Sequence, residues 1–433
     1  MKLRSTIVIA ALLATIAATT AVAEPQPAAD QATLQQILDE LRQLRADRDA
    51  QKQEIDALRA AVDALSRELA AAKQGAAPLP AQPAPPAAAA TAPEETPVAE
   101  QIATMDPYGS LRVVVGSDTD GNTAMRDNIS RVGIKGSARL REGLDVVATA
   151  EVGLKLWGRE QTTIFGGDPG APVGQVDNAV FARVGFAGLK GRAGQLTFGK
   201  QWAPYSDVAG MTDQAYVFGG DAAGVYAAGT DGGISGTGRA DYATQYRYSN
   251  EHFSLGLQTQ SRSRSENDQS WADTVQGAFT WHAGRGFHVG ATYHEVRDGV
   301  VDPEPDEANK GDKATVVAIS YDRPGHLYVG ATYADLENHE RDDTGVFFSG
   351  RGFEFFTRYY VTERSAIEGV FNDLEPDDSY DGQYRLRYFA ATYSYRYAKS
   401  SVIYAGYKSE QSRAADGSDL QNDVFGLGFN YSF

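Results

Sequence analysis

Leu144-Asp145-Val146-Val147-Ala148-Thr149-Ala150-Glu151-Val152-Gly153-Leu154 is the stretch on which the fold turns. Leu144, Val146, Ala148, Ala150, Val152 and Leu154 share one side of a period-two pattern. Asp145, Thr149, Glu151 and Gly153 share the other. Side chains alternate across a β-strand, so this segment is a strand with one apolar and one polar face. A soluble β-sandwich also alternates, but its inner face is densely apolar and its outer face charged. Here the polar set mixes carboxylate, hydroxyl and glycine, which suits a wet interior, while the apolar set suits hydrocarbon.

The same period runs through the rest of the chain from Tyr108. Leu111, Val113 and Val115 oppose Ser110 and Arg112; Arg131, Gly133 and Lys135 oppose Val132 and Ile134. Strands are expected near 108–116, 129–139, 143–156, 178–190, 194–201, 239–250, 252–262, 272–282, 286–296, 312–322, 326–335, 348–361, 364–373, 384–397, 400–410 and 421–433, about sixteen in all. Connections such as 248–252, 282–286 and 322–326 are tight, whereas 297–311 and 336–347 are long and acidic. Short turns on one side, long loops on the other and strands of about ten residues are the pattern of a transmembrane β-barrel. The physical reason is that hydrocarbon leaves no partner for an unpaired backbone amide, and a closed barrel has no edge. The final strand, Phe425-Gly426-Leu427-Gly428-Phe429-Asn430-Tyr431-Ser432-Phe433, puts five large apolar residues on one face.

One stretch breaks the pattern. Trp202 to Gly238 is rich in Gly, Ala and Asp and centres on Phe218-Gly219-Gly220-Asp221. It is too long for an ordinary connection, and a loop of that kind is functional more often than idle. It is expected to fold back into the barrel and narrow it.

The front of the chain is built differently. No Phe, Trp or Tyr precedes Tyr108. Lys2 and Arg4, the apolar run Ile7 to Ala18 and Ala21-Val22-Ala23 read as a signal peptide (1–23) cut after Ala23. Within 24–74, Leu34, Leu41, Ile55, Val62 and Leu69 alternate with Ile37, Leu44, Leu58 and Leu65 in heptad spacing. That is an α-helical coiled coil, polar at the Arg48/Gln51 layer and roughly 60 Å long at about 1.5 Å per residue. A Pro/Ala linker (75–106) carries Pro78, Pro80, Pro83, Pro85 and Pro86, where a helix must stop, and the barrel domain is expected over 107–433. No other segment approaches the ~20 apolar residues of a spanning helix. The 433-residue chain has no cysteine and a net charge of -17, which makes nucleic acid an unsuitable partner. No nucleophile elbow, phosphate loop or zinc motif is present, so no enzyme activity, metal or cofactor is expected.

From Tyr108 to Phe433 the sequence resembles the trimeric general-diffusion porins of Gram-negative outer membranes. The resemblance rests on Tyr108-Gly109, Ser130-Arg131-Val132-Gly133-Ile134-Lys135-Gly136, Arg183 to Lys190, Thr197-Phe198-Gly199-Lys200-Gln201, Met211-Thr212-Asp213, Phe218-Gly219-Gly220-Asp221 and Arg239 to Asn250. Each motif is weak alone; their order is specific. The resemblance implies a sixteen-stranded barrel whose inward third loop sets an eyelet. Arg131, Arg183 and Arg239 would form a basic wall, with Asp213 and Asp221 facing them from the loop and Glu151 adding to the acidic side. Strand parity adds Arg112 to the basic wall. Val225 stands where an acid often follows Asp221, which argues against strong cation preference.

The resemblance further implies a homotrimer, embedded in outer-membrane lipid and lipopolysaccharide, passing ions and small hydrophilic solutes. The loop Gly158 to Asp177 is expected to latch onto a neighbour. The coiled coil is an addition to the common pattern. It leaves two other functions open: a substrate-selective channel, for organic anions for example, or a structural tether reaching peptidoglycan. Acidic runs such as Asp302 to Glu307 and Glu375 to Asp378 are expected at solvated loop tips.

Overall fold

The computed structural model describes residues 103–156, 179–226, 236–261, 272–297, 312–341, 347–377, 383–414, 417–420 and 422–433. The signal peptide, coiled coil, most of the linker, the 158–177 loop and the 302–307 run lie outside the described residues. The described chain is nearly all strand. In order these are β1 (Ala103–Asp118), β2 (Thr123–Asp127), β3 (Ser130–Arg141), β4 (Leu144–Leu154), β5 (Val180–Gly191), β6 (Gly194–Trp202), β7 (Arg239–Ser249), β8 (Phe253–Gln260), β9 (Thr274–Gly284) and β10 (Phe287–Val296). They continue with β11 (Lys313–Arg323), β12 (Leu327–Arg341), β13 (Phe347–Tyr360), β14 (Ser365–Pro376), β15 (Leu386–Ala398) and β16 (Ser401–Glu410). The last are the two-residue β17 (Ser412–Arg413) and β18 (Asp419–Leu420), and β19 (Val424–Ser432).

The strands of the main sheet pair antiparallel, and β1 pairs with β19 through Ser110↔Ser432 to Asp118↔Val424. That pairing closes the barrel. β1 bonds to β3 through Ala103 to Ser110 and to β2 through Val113 to Ser117, so β2 and β3 are two halves of one stave. The wall is therefore a closed ring of sixteen antiparallel staves. The break falls at Asn128-Ile129, where Ile129 takes a φ of 65°, an unfavourable conformation for a β-branched residue. The short β2, β17 and β18 lie outside the expected strands, β14 runs on to Pro376, and two other ends move furthest. β1 begins at Ala103, because Ala103 to Pro107 still have β3 to pair with, and β12 runs on to Arg341.

The two faces of each strand have the two expected solvents. Val289, Val317, Ile319, Ile367, Ile403 and Leu427 point outward and stay exposed on the single chain. Trp281, Phe287, Tyr359, Tyr397 and Tyr431 cluster outside near the short turns, and Tyr293, Tyr333, Tyr407 and Phe425 lie farther along the strands. These aromatics form the girdles that mark headgroup level. Tight turns such as 141–144 and 323–327 use Gly143 (φ 74°) and Gly325 (φ 72°), where a side chain would be strained.

The apolar core lies inside the barrel on one side only. Between β6 and β7 the chain enters a one-and-a-half-turn helix, α1 (Pro204–Ala209), started by Pro204 at a first-turn position that needs no amide donor. Tyr205, Val208, Met211, Phe218, Ala222 and Val225 from this third loop bury themselves against Ala278, Ala314, Val316, Leu336, Phe348 and Val370 of the wall. The wall here is lined with small residues. A Cβ on Gly352 would meet the Ala222 carbonyl oxygen at 1.6 Å, and one on Gly330 would meet the Met211 carbonyl at 2.6 Å. Glycine at these two positions lets the loop backbone lie directly on the sheet.

Candidate channel constriction

The third loop crosses the lumen because the wall supplies a partner for each polar group that the loop turns toward it. Glu354 on β13 is fully buried; its Oε1 accepts from the Ala222 amide at 2.8 Å, and its Oε2 accepts from the Thr212 hydroxyl. Tyr328 donates to the Met211 carbonyl at 2.7 Å. Arg358 is paired with Glu368 at 2.7 Å and donates to the Gln214 carbonyl, while Glu368 accepts from the Tyr216 amide. Tyr216 stacks on Tyr404 at 5.4 Å and its carbonyl accepts from Asn128 at 2.9 Å. On the other side, Gln276 accepts from the Tyr205 amide at 3.0 Å and Arg247 is salt-bridged to Asp207. His339, buried and 2.6 Å from Asp312, holds the Gly224 carbonyl at 2.8 Å through Nε2. A buried donor or acceptor without a partner costs about 1–3 kcal/mol, so these contacts fix the loop's position.

The arginines gather as one group. Arg131 on β3, Arg183 on β5 and Arg239 at the start of β7 project inward with Arg112 of β1, and their charges act on one another. Arg183 and Arg239 are buried, at 2% and 4% exposure. Arg239 lies over the Trp202 ring at 5.6 Å, a cation–π contact.

The acidic residues divide in a way the sequence did not show. Glu151 belongs to the arginine wall rather than to the side facing it. Its Oε1 is 2.7 Å from Arg183 Nε, its Oε2 is 4.0 Å from Arg131 Nε, and Tyr108 donates to it at 3.0 Å. The physical reason is a bulge: Glu151 pairs with Val184, the register then shifts to Val152↔Ala182, and the unpaired Arg183 turns inward beside Glu151. Asp221 also turns away from Arg131, Arg183 and Arg239. It accepts from Tyr388 at 2.7 Å, its amide donates to Asn372 at 3.2 Å, and the positive charges acting on it are Lys408 and Arg126.

Asp213 remains as the loop acid on the arginine side. It accepts from Tyr226 at 2.9 Å, and Tyr226 in turn feels the charge of Arg239. Asp213 lies in the loop, outside the spanning strands; burial pushes its carboxyl up to about 6, with Asp221 adding to the rise and Tyr226 opposing it. It does not cap α1, which ends at Ala209. Val225 is buried at 3% and packs in the core beneath the loop. Beside the loop is a cavity of about 540 Å³ lined by Phe186, Trp202, Asp213, Tyr226 and Arg247 among others.

Sequence reading missed Arg126, Glu354, Arg358, Glu368 and Tyr388. The inward parity of Arg126 with Ala124 on β2 was a usable signal. The others sit on cleanly alternating strands, but nothing local says which inward residue meets a loop more than a hundred positions away.

The arrangement shapes a wet passage with fixed charges. Residues 75–433 match the sequence profile of the Gram-negative porins. The chain is 25% identical over 348 residues to outer membrane porin F of Xenorhabdus nematophila, covering 73% of this chain and 87% of that one. It is 25% identical over 298 residues to outer membrane porin N of Escherichia coli K12, covering 59% and 76%. Its fold resembles that of Salmonella typhi OmpF, solved with daunomycin, at a TM-score of 0.58 and 18% identity over 76% of this chain and 97% of that one. It also resembles the anion-selective porin of Comamonas acidovorans at a TM-score of 0.57 and 12% identity, over 76% and 100%. The chain therefore belongs to the Gram-negative porin family, an outer-membrane channel for the passive diffusion of ions and small hydrophilic solutes.

Proposed function

We propose that the constriction of this porin lies between the arginine group Arg112, Arg131, Arg183 and Arg239 and the Asp213–Tyr226 pair of the third loop, and that it carries a surplus of positive charge. The observation that carries this reading is the pairing of Glu151 with Arg183. It moves one carboxylate into the wall, and the Tyr388 contact of Asp221 moves another away from it. Asp213 is then left to face four arginines. In a narrow throat walled by protein, charges are poorly screened, so a transverse field crosses the passage. Dipolar solutes align in that field, and apolar ones of the same size are slowed. The net effect is a weak preference for anions.

The test is the reversal potential of the purified protein in planar bilayers across a KCl gradient. A zero-current potential on the anion side is expected, and a strongly cation-selective potential would overturn the reading. Saturable block by an organic anion would favour a substrate-selective channel over a general one.

The chain works as a homotrimer, as its family resemblance implies, with the 34–72 heptads forming a three-stranded coiled coil on the periplasmic side. A trimeric mass in detergent is expected. Deletion of residues 30–75 separates assembly from tethering: if trimer formation and envelope integrity are both unchanged, the coiled coil has neither role.

A further inference from the structure

His282 and His288 flank the β9–β10 turn, and their spacing of six in sequence says nothing about their separation. The register does: they are direct cross-strand partners. Both have inward parity, with Thr280 on one strand and Gly290 and Thr292 on the other turned to the lumen. Their Nδ1 atoms are 2.9 Å apart, with the rings edge to face at 80°. Ser254 Oγ lies 3.0 Å from Nε2 of His282. The pair lines a cavity of about 650 Å³ between the third loop and the short turns, shared with Asp207, Met211, Arg247 and Asp322. Short turns mark the periplasmic end of such a barrel.

Two imidazole nitrogens 2.9 Å apart share one hydrogen between them. They also present a chelating bite. A metal ion about 2.0–2.1 Å from each nitrogen that closes this gap sees them at roughly 90°, the angle between neighbouring ligands in square-planar or octahedral coordination and tighter than the tetrahedral angle.

We propose that His282 and His288 form a bidentate site for Cu2+ or Ni2+ at the periplasmic mouth of the channel. Each ring binds through Nδ1; the hydrogen held between the two Nδ1 atoms moves to Nε2 of the ring that carried it, so each neutral imidazole then holds its one proton on Nε2 and none is released. For His282 that proton is donated to Ser254, an outer partner of the kind that orients a metal-binding histidine. Among the described residues no third His, Cys, Asp or Glu joins the pair, and water completes the coordination. A bound ion adds two positive charges beside Arg247. This inference does not depend on the ion preference proposed above.

The test is a Cu2+ titration of the purified full-length protein followed by electron paramagnetic resonance, with Ni2+ and Zn2+ as competitors. One Cu2+ per chain with two equatorial nitrogens is expected, displaced more readily by Ni2+ than by Zn2+. H282N and H288N should each weaken binding at least tenfold, while H252N/H326N, which alters two histidines at neighbouring turns, should leave it unchanged. Persistence of the two-nitrogen signal in the H282N/H288N double variant overturns the proposal. If that variant does not insert, the native protein alone decides, since a native spectrum without nitrogen coupling overturns it equally.

Discussion

Arg183→Ala would leave Glu151 with only the more distant Arg131 and the Tyr108 hydroxyl. The wall loses one positive charge. A unit charge about 6 Å from a passing ion in water is worth roughly 0.7 kcal/mol, about threefold for each ion and of opposite sign for the two, so the cation-to-anion permeability ratio should rise about tenfold. Reversal potentials of the variant and parent measure this directly, and Glu151→Gln should move the ratio the opposite way. The second residue-scale prediction concerns pH. The Asp213 carboxyl, raised to about 6 by burial, is charged above that value and neutral below it. Between pH 7 and pH 5 Asp213 should lose its negative charge and the channel should shift further toward anions, with a midpoint near 6. Asp213→Asn should abolish that titration and hold the low-pH selectivity at all values. A shift of unchanged size in the Asn variant would show that another group titrates.

The third loop is the element on which the aperture depends, and the wall beneath it is cut to receive it. Gly352→Val places a side chain where the Ala222 carbonyl lies, and overpacking of this kind displaces whatever yields most easily. The loop is that part, so single-channel conductance should rise or become noisy while the barrel keeps its heat-resistant mobility on gels. Glu354→Ala should act in the same direction by leaving the Ala222 amide and Thr212 hydroxyl without their acceptor, at about 1–3 kcal/mol each. How far this was legible in the sequence differs by element. The strands were readable to within a few residues because lipid and water impose period two on each of them separately. The loop was readable as a loop, from length and composition. Its anchors were not, because an inward Glu354 that meets Ala222 looks in sequence like any lumen-facing polar residue. Glu151 misled for a related reason: parity shows that a carboxylate faces inward, but only the bulge at Arg183, where the β4–β5 register shifts, shows that Arg183 reaches it first.

The described barrel is a closed ring, sealed where its first strand meets its last. β1 and β19 pair over Ser110 to Asp118, and Phe433 extends the seam by exchanging two backbone hydrogen bonds with Gly109 at 2.9 and 3.0 Å. The Phe433 ring lies where a Gly109 side chain would be. Deleting Phe433 removes those two bonds, each worth about 1 kcal/mol, together with the ring's packing. The folded fraction after refolding should fall and the unfolding midpoint should drop, both read from the heat-modifiable band on gels.

The ties that hold the third loop have an electrical consequence. They run to β7, β9, β12, β13, β14 and β15, on different parts of the circumference, and each is a separate contact. In the intact protein an excursion large enough to change the bore requires several of them to fail together, and the populations of such states fall steeply with each added loss. Ions cross a passage of this length far faster than such events recur. The channel should therefore behave as a fixed resistor at low voltage, with current proportional to the applied potential and little flicker noise.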